Sequence, residues 1–281
     1  MDLTIKHLLA TSIAALFPLL CVAQSDAAEL AAPAGLKKAS AQALYPWQVP
    51  SPRLAAEVYF TNLQNNARIE TPFRLTFGLT NGWGLAPISV AVDGKSGHHH
   101  LLVNRDLPLD FKKALPFNDQ YIHFGKGQME TVLTLDPGTY TLRLLLADNK
   151  HLPRFVYSKP MQVTVTRKNA SIDPATLGTK AISMPNLAGN ARVKRPFGVQ
   201  FHASGLNVAH LSQKQKDTGH FRMTVSPQGS GKPVVMEFAQ GQTEVWLAPP
   251  AGAYVLRLDF MDNVSTGNTL ASAVSAAVSV E

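Results

Sequence analysis

The sequence predicts an all-β protein in which two tandem immunoglobulin-like β-sandwich domains follow a signal peptide and a linker. First, one unit occurs twice. Residues 127–149 (GQMETVLTLDPGTYTLRLLLADN) and 241–263 (GQTEVWLAPPAGAYVLRLDFMDN) are identical at 11 of 23 positions, offset by 114. Residues 62–77 match 186–201 at eight of 16, offset by 124, so about ten residues are lost between the blocks in the second copy. Second, each copy consists of short runs alternating with period two and bounded by Gly, Pro, Asn and Asp, the pattern of half-buried strands. Third, Asp136-Pro137-Gly138-Thr139-Tyr140 sets a tyrosine just after a tight glycine turn at the start of a strand, and Pro250-Ala251-Gly252-Ala253-Tyr254 repeats it. That is the setting of a tyrosine corner, in which the hydroxyl bonds back to nearby backbone.

The elements follow in order. Lys6 and His7 precede an apolar run over residues 8–22, the length of a signal-peptide core and short for a membrane span. Cleavage after Ala23 is expected. Leu19 and Leu20 before Cys21 fit a lipoprotein signal poorly. Beyond residue 23 no apolar stretch is long enough to cross a membrane. Residues 24–56 are rich in Ala, Pro and Ser and read as a linker or loosely attached arm, with 36–44 its one helical candidate. Repeat 1 spans 57–167, with strands expected at 57–61, 73–80, 88–92, 99–104, 130–135, 140–147 and 161–166. Residues 168–180 form a connector, and repeat 2 spans 181–281. Tyr140, Leu142, Leu144 and Leu146 are expected to face a core, as are Tyr254, Leu256, Leu258 and Phe260.

Composition removes several classes of function. Cys21 is the only cysteine and leaves with the signal, which excludes disulfides, thiolate metal sites and cysteine nucleophiles. The net charge of +7 is scattered, with no basic stripe interleaved with aromatics, so nucleic acid is not an expected partner. There is no G-x-S-x-G, no H-E-x-x-H and no paired carboxylates to support a hydrolase. Gly125-Lys126-Gly127 has no following helix, which discounts phosphate binding.

The histidines remain. Of nine, five belong to repeat 1: His98, His99, His100, His123 and His151. On a strand His98 and His100 share a face and His99 takes the other. Two imidazoles at i and i+2 can chelate one ion, with His123 as third ligand and His99 or His151 in support. Imidazole suits copper and zinc. Repeat 2 aligns His220, Phe221 and Arg222 with His98, His99 and His100, Glu237 with His123, and Ser265 with His151. A structural role for the imidazoles, or a non-metal ligand, stands beside the metal reading. Glu130 and Glu244, kept in both copies, read as fold residues, and His202 and His210 as incidental.

The segments 58–79, 97–103 (GHHHLLV) and 117–151 resemble an uncharacterised bacterial periplasmic family, a domain of unknown function with GHHHLL and IHFGKGQxE signatures and sometimes a misapplied rod shape-determining label. The resemblance implies a secreted β-domain and supplies no activity, substrate or cofactor. The expectation is therefore a periplasmic binding protein whose repeat 1 holds a His-lined site for copper, zinc or a small ligand. The alternative is a non-catalytic module binding an envelope polymer or protein, and a metal-dependent enzyme ranks last because no acid/base partner can be named.

Overall fold

The computed structural model describes residues 45–87, 94–108 and 110–281. The expected signal peptide, residues 24–44 of the linker and the strand expected at 88–92 lie outside them. Within the described residues the regular structure is strand, apart from one 3-10 turn, Pro174–Leu177, in the connector. No helix there is long and apolar enough to cross a membrane.

Each repeat is a sandwich of two sheets. In repeat 1 the larger sheet runs Ala67–Thr71, Met161–Lys168, Gly138–Ala147, Ser96–Val103, Gly84–Leu85. Pro153–Tyr157 also pairs with Gly138–Ala147, and Tyr121–Phe124 with Ser96–Val103. The opposing sheet is Val58–Phe60, Phe73–Leu79, Glu130–Leu133. In repeat 2 the larger sheet runs Ala191–Val193, Val274–Val280, Gly252–Asp262, Thr218–Pro227, Asn207–Val208, with Val234–Phe238 pairing to Thr218–Pro227. The strand order is the same in both copies.

Period-two alternation places the core as expected. Leu142, Leu144 and Leu146, and Leu256, Leu258 and Phe260, are fully buried between the sheets. Each such side chain contributes about 1.5–3 kcal/mol of burial. The tyrosine corner forms twice: Tyr140 Oη donates to the Asp136 carbonyl and Tyr254 Oη to the Pro250 carbonyl, both at 2.9 Å.

Repeat 1 also has a second, smaller core. Leu145 and Ala147 point to the outer face of the large sheet, where they meet Leu102 and Leu115. Residues 104–108 and 110–120 supply the cover of this face, so strand Ser96–Val103 is buried on both sides along its whole length. Repeat 2 lacks the cover. His99 and its register partner Phe124 are 25 positions apart, whereas Phe221 and Phe238 are 17 apart. Most of the ten missing residues are lost at this one place.

The repeats meet about an approximate two-fold axis. The Val208 amide donates to the Gly127 carbonyl at 2.9 Å, and the Leu85 amide to the Gly241 carbonyl at 2.8 Å. A Cβ on Gly127 would lie 2.2 Å from the Val208 oxygen, and one on Gly241 2.3 Å from the Leu85 oxygen. Backbone approach across this seam therefore requires glycine at both places. Glu130 reaches into repeat 2, accepting from Ser204 Oγ (2.7 Å) and the Gly205 amide (3.0 Å) and bonding His202 Nε2 (2.9 Å). Glu244 reaches into repeat 1, accepting from Arg53 (2.5 Å), Tyr59 Oη (2.6 Å) and the Asn81 amide (3.3 Å). His202 is thus an interface residue rather than incidental. Sequence comparison within one copy cannot find such a role, because the partner lies in the other copy.

The end of the expected linker is tied down. Gln48–Val49 adds a strand to the small sheet of repeat 2 beside Glu244–Leu247. Trp47 packs edge-on against Tyr254, and Tyr45 Oη donates to the Glu237 carbonyl at 3.2 Å.

Candidate metal centre

Four of the five histidines of repeat 1 come together: His98, His100, His123 and His151 each offer a ring nitrogen, and the four nitrogens lie within 4.8 Å of one another. Three local features build the cluster. Strand alternation points His98 and His100 to the outer face, with their Nε2 atoms 3.0 Å apart. Antiparallel pairing sets His123 directly opposite His100. His151 arrives on the tight turn after strand Gly138–Ala147. There Asp148 Oδ1 accepts from the Lys150 and Leu152 amides, each at 2.9 Å. His151 has φ +60°, a left-handed conformation uncommon for a non-glycine residue. Its carbonyl accepts from the Leu115 amide at 2.9 Å, which ties the turn to the covering segment.

His99 is not part of the cluster, which corrects its place among the expected ligands. It faces the main core, edge-on to Phe77 with ring centroids 5.3 Å apart, and its Nδ1 bonds the Gln128 carbonyl at 3.2 Å. The carbonyl only accepts, so Nδ1 carries the proton. His151, the other supporting candidate, is in the cluster. Turn geometry decided that, and the sequence held no periodic signal for it.

The cluster is desolvated and aromatic. His98 and His100 have no exposed surface, while His123 and His151 are half-buried. Ring centroids of the four lie 4.7–5.7 Å apart. Phe117, from the covering segment, sits against His123 (5.3 Å) and His151 (4.4 Å) on the open side. Burial, reinforced by any charge on His123 and His151, pushes the His98 pKa down to about 3. Burial with the charges of its neighbours lowers His100 further, and burial lowers His123 and His151 as well. All four imidazoles are therefore neutral near pH 7, the form that binds metal. His98 Nδ1, His100 Nδ1, His123 Nε2 and His151 Nε2 are buried and make no hydrogen bond. Leaving one such group unsatisfied costs about 1–3 kcal/mol. The arrangement can hold one metal ion.

Repeat 2 has the same scaffold with different chemistry. The register opposes Arg222 to Glu237 as it opposes His100 to His123. Glu237 bonds His220 Nε2 at 2.5 Å and accepts from Arg222 Nε at 2.6 Å, while His220 Nδ1 bonds Asn263 Oδ1 at 2.6 Å. Those polar groups satisfy one another and leave no set of ligands.

Fold and site together define a two-repeat β-sandwich protein with a histidine cluster in one repeat only. The chain belongs to the family described as Domain of unknown function (DUF4399), whose model matches residues 75–166 and 199–281, one stretch in each repeat. No curated protein matches the chain. Among solved structures it is similar to the fibronectin(III)-like modules of Clostridium thermocellum CbhA, at 12% identity over 80% of this chain and 94% of that one, with a TM-score of 0.25. A two-domain fibronectin type III segment of chicken tenascin gives 13%, 80%, 98% and 0.24. Three N-terminal domains of the bacteriophage RB49 highly immunogenic outer capsid protein give 10%, 80%, 70% and 0.25.

Proposed function

We propose that this is an exported, periplasmic metal-binding protein whose repeat 1 takes a copper or zinc ion on His98, His100, His123 and His151. The observation that carries the reading is four imidazoles that each offer a ring nitrogen within 4.8 Å of the other three, with no carboxylate among them. Hydrogen-bonded core histidines would have partners, as His220 does in repeat 2. Repeat 2 acts as scaffold, joined to repeat 1 through Glu130 and Glu244. The test is metal uptake by the untagged full chain, measured by elemental analysis and calorimetry beside His100→Ala and His123→Ala. One ion per chain, lost in both variants, supports the reading. No uptake at micromolar metal, or equal uptake in all three, sinks it.

An aromatic surface favours a second reading, a module for an envelope polymer. Phe155 is 76% exposed and stacks on Phe111 at 4.4 Å, with Tyr157 alongside. Co-sedimentation with peptidoglycan, reduced by Phe155→Ser and unchanged by His100→Ala, would favour it.

A further inference from the structure

We propose that the ion of this site is copper, held as Cu⁺ in preference to Cu²⁺ or Zn²⁺; this rests on the metal-site reading above and chooses among its ions. The argument is one of charge. Among the described residues the cluster contains four imidazoles and no carboxylate or thiolate. Neutral ligands leave the ion's whole charge in place. The cost of transferring an ion into a poorly solvated interior grows with the square of that charge, so a divalent ion meets roughly four times the penalty of a monovalent one. His98 and His100 have no exposed surface, so water does little to reduce it.

The surroundings carry charges of both signs and add no ligand anion. Arg143 is the register partner of Leu102, which shares the outer face with His98 and His100. Its guanidinium reaches Asp106 at 3.4 Å, and that carboxylate is almost fully in solvent. Asp148 acts on His151. Its Oδ1 accepts two turn amides, which fixes it in the turn as a hydrogen-bond acceptor. Phe117, itself 63% exposed, sets an apolar ring against His123 and His151 where a site for a divalent ion would have water or a carboxylate.

Repeat 2 supplies an independent argument. The position of His123 is Glu237 there, with its carboxylate beside His220. The scaffold therefore admits an anion at this point, and repeat 1 does without one. Softness alone does not decide the matter, since imidazole accepts copper and zinc alike; net charge does. Reduction of bound Cu²⁺ adds one electron to the metal, and the neutral imidazoles take up no proton with it. Tighter binding of Cu⁺ than of Cu²⁺ therefore appears as a raised reduction potential.

The experiment uses the untagged full chain. Cu⁺ affinity is measured anaerobically by competition with bathocuproine disulfonate, Cu²⁺ affinity by competition with nitrilotriacetate, and Zn²⁺ affinity by calorimetry. The expected result is Cu⁺ bound at least ~100-fold more tightly than either divalent ion. For the copper couple this places the potential about 120 mV above that of aqueous copper, at ~59 mV per tenfold for one electron. Phe117→Asp sets a carboxylate at the rim without entering the core and should narrow the Cu⁺/Cu²⁺ ratio at least tenfold. Cu²⁺ or Zn²⁺ bound as tightly as Cu⁺ overturns this inference and leaves the metal site standing. No ion bound overturns both. An unchanged ratio in Phe117→Asp overturns the charge argument.

Discussion

The outer faces of the two large sheets carry corresponding residues and have different chemistry. In repeat 1 the positions hold His98, His100 and His123, neutral rings without hydrogen-bond partners on their remaining nitrogens. In repeat 2 they hold His220, Arg222 and Glu237, and the Glu237 carboxylate bonds both of the others. The difference teaches that the sandwich does not need three imidazoles there. A hydrogen-bonded triad built around the Arg222–Glu237 ion pair fits the same strands, and it fits without the cover that residues 104–108 and 110–120 give repeat 1. Repeat 1 keeps both the cover and the unsatisfied nitrogens, an arrangement that costs stability unless something binds.

The comparison can be broken by exchanging its parts. The largest effect expected is on metal affinity. His98→Ala removes one of the two fully buried ligands and should weaken binding by roughly 100-fold or more, above the 10–100-fold typical of losing an outer-shell partner. The matching change in repeat 2, His220→Ala, should leave uptake unchanged; calorimetry on both variants decides.

Next comes the seam between the repeats. Glu244 is buried, and Glu244→Ala leaves Arg53 with Glu57 as its remaining carboxylate and takes the acceptor from Tyr59 Oη, the Asn81 amide and Trp246 Nε1. A loss of about 3–5 kcal/mol is expected from leaving several buried donors without an acceptor, at about 1–3 kcal/mol each. Glu130→Ala, at a more exposed carboxylate, should cost less, about 1–3 kcal/mol. Urea denaturation of each variant measures this, and equal losses would contradict the ranking.

The pH dependence tests repeat 1. Burial lowers His98 from 6.5 to about 3 and His99 to about 4. The folded state therefore binds fewer protons than the unfolded one below pH 6.5. Stability of the metal-free protein should fall as pH drops from about 6.5 towards 4, by up to about 1.4 kcal/mol per pH unit for each such histidine. Bound metal should deepen this dependence by competing with protons for the same nitrogens. Melting curves with and without copper across this range test the sign. A metal-free protein that gains stability on acidification would contradict neutral burial of the cluster.

The smallest effect is expected where the copies agree. Tyr140→Phe and Tyr254→Phe each remove one corner hydrogen bond of the same length, so each should cost about 1 kcal/mol. A gap of more than about 1 kcal/mol between them would show that the corners are not equivalent.

Much of this was legible in the chain. Alternation at 140–147 located the core face, and alignment of the copies matched His100 to Arg222 and His123 to Glu237 before any register was known. Other parts were not. His99 counts as a ligand in a list of histidines, and only burial on both faces of its strand sends it to Phe77. His151 lies in a turn, and its direction follows from φ +60° and from Asp148, which no periodicity records. Glu130, His202 and Glu244 acquire their roles only across the seam.

The sequence by itself determined the duplication, the strand alternation, the setting of the tyrosine corners and the five candidate imidazoles of repeat 1, because each is a local pattern of side-chain type along one chain. Tertiary structure alone decided that four of those imidazoles come together, that Phe117 packs against two of them and that reciprocal glutamates join the repeats. Those facts depend on strand register, a left-handed turn and approach between segments distant in the chain, which are set by packing rather than by neighbours in sequence.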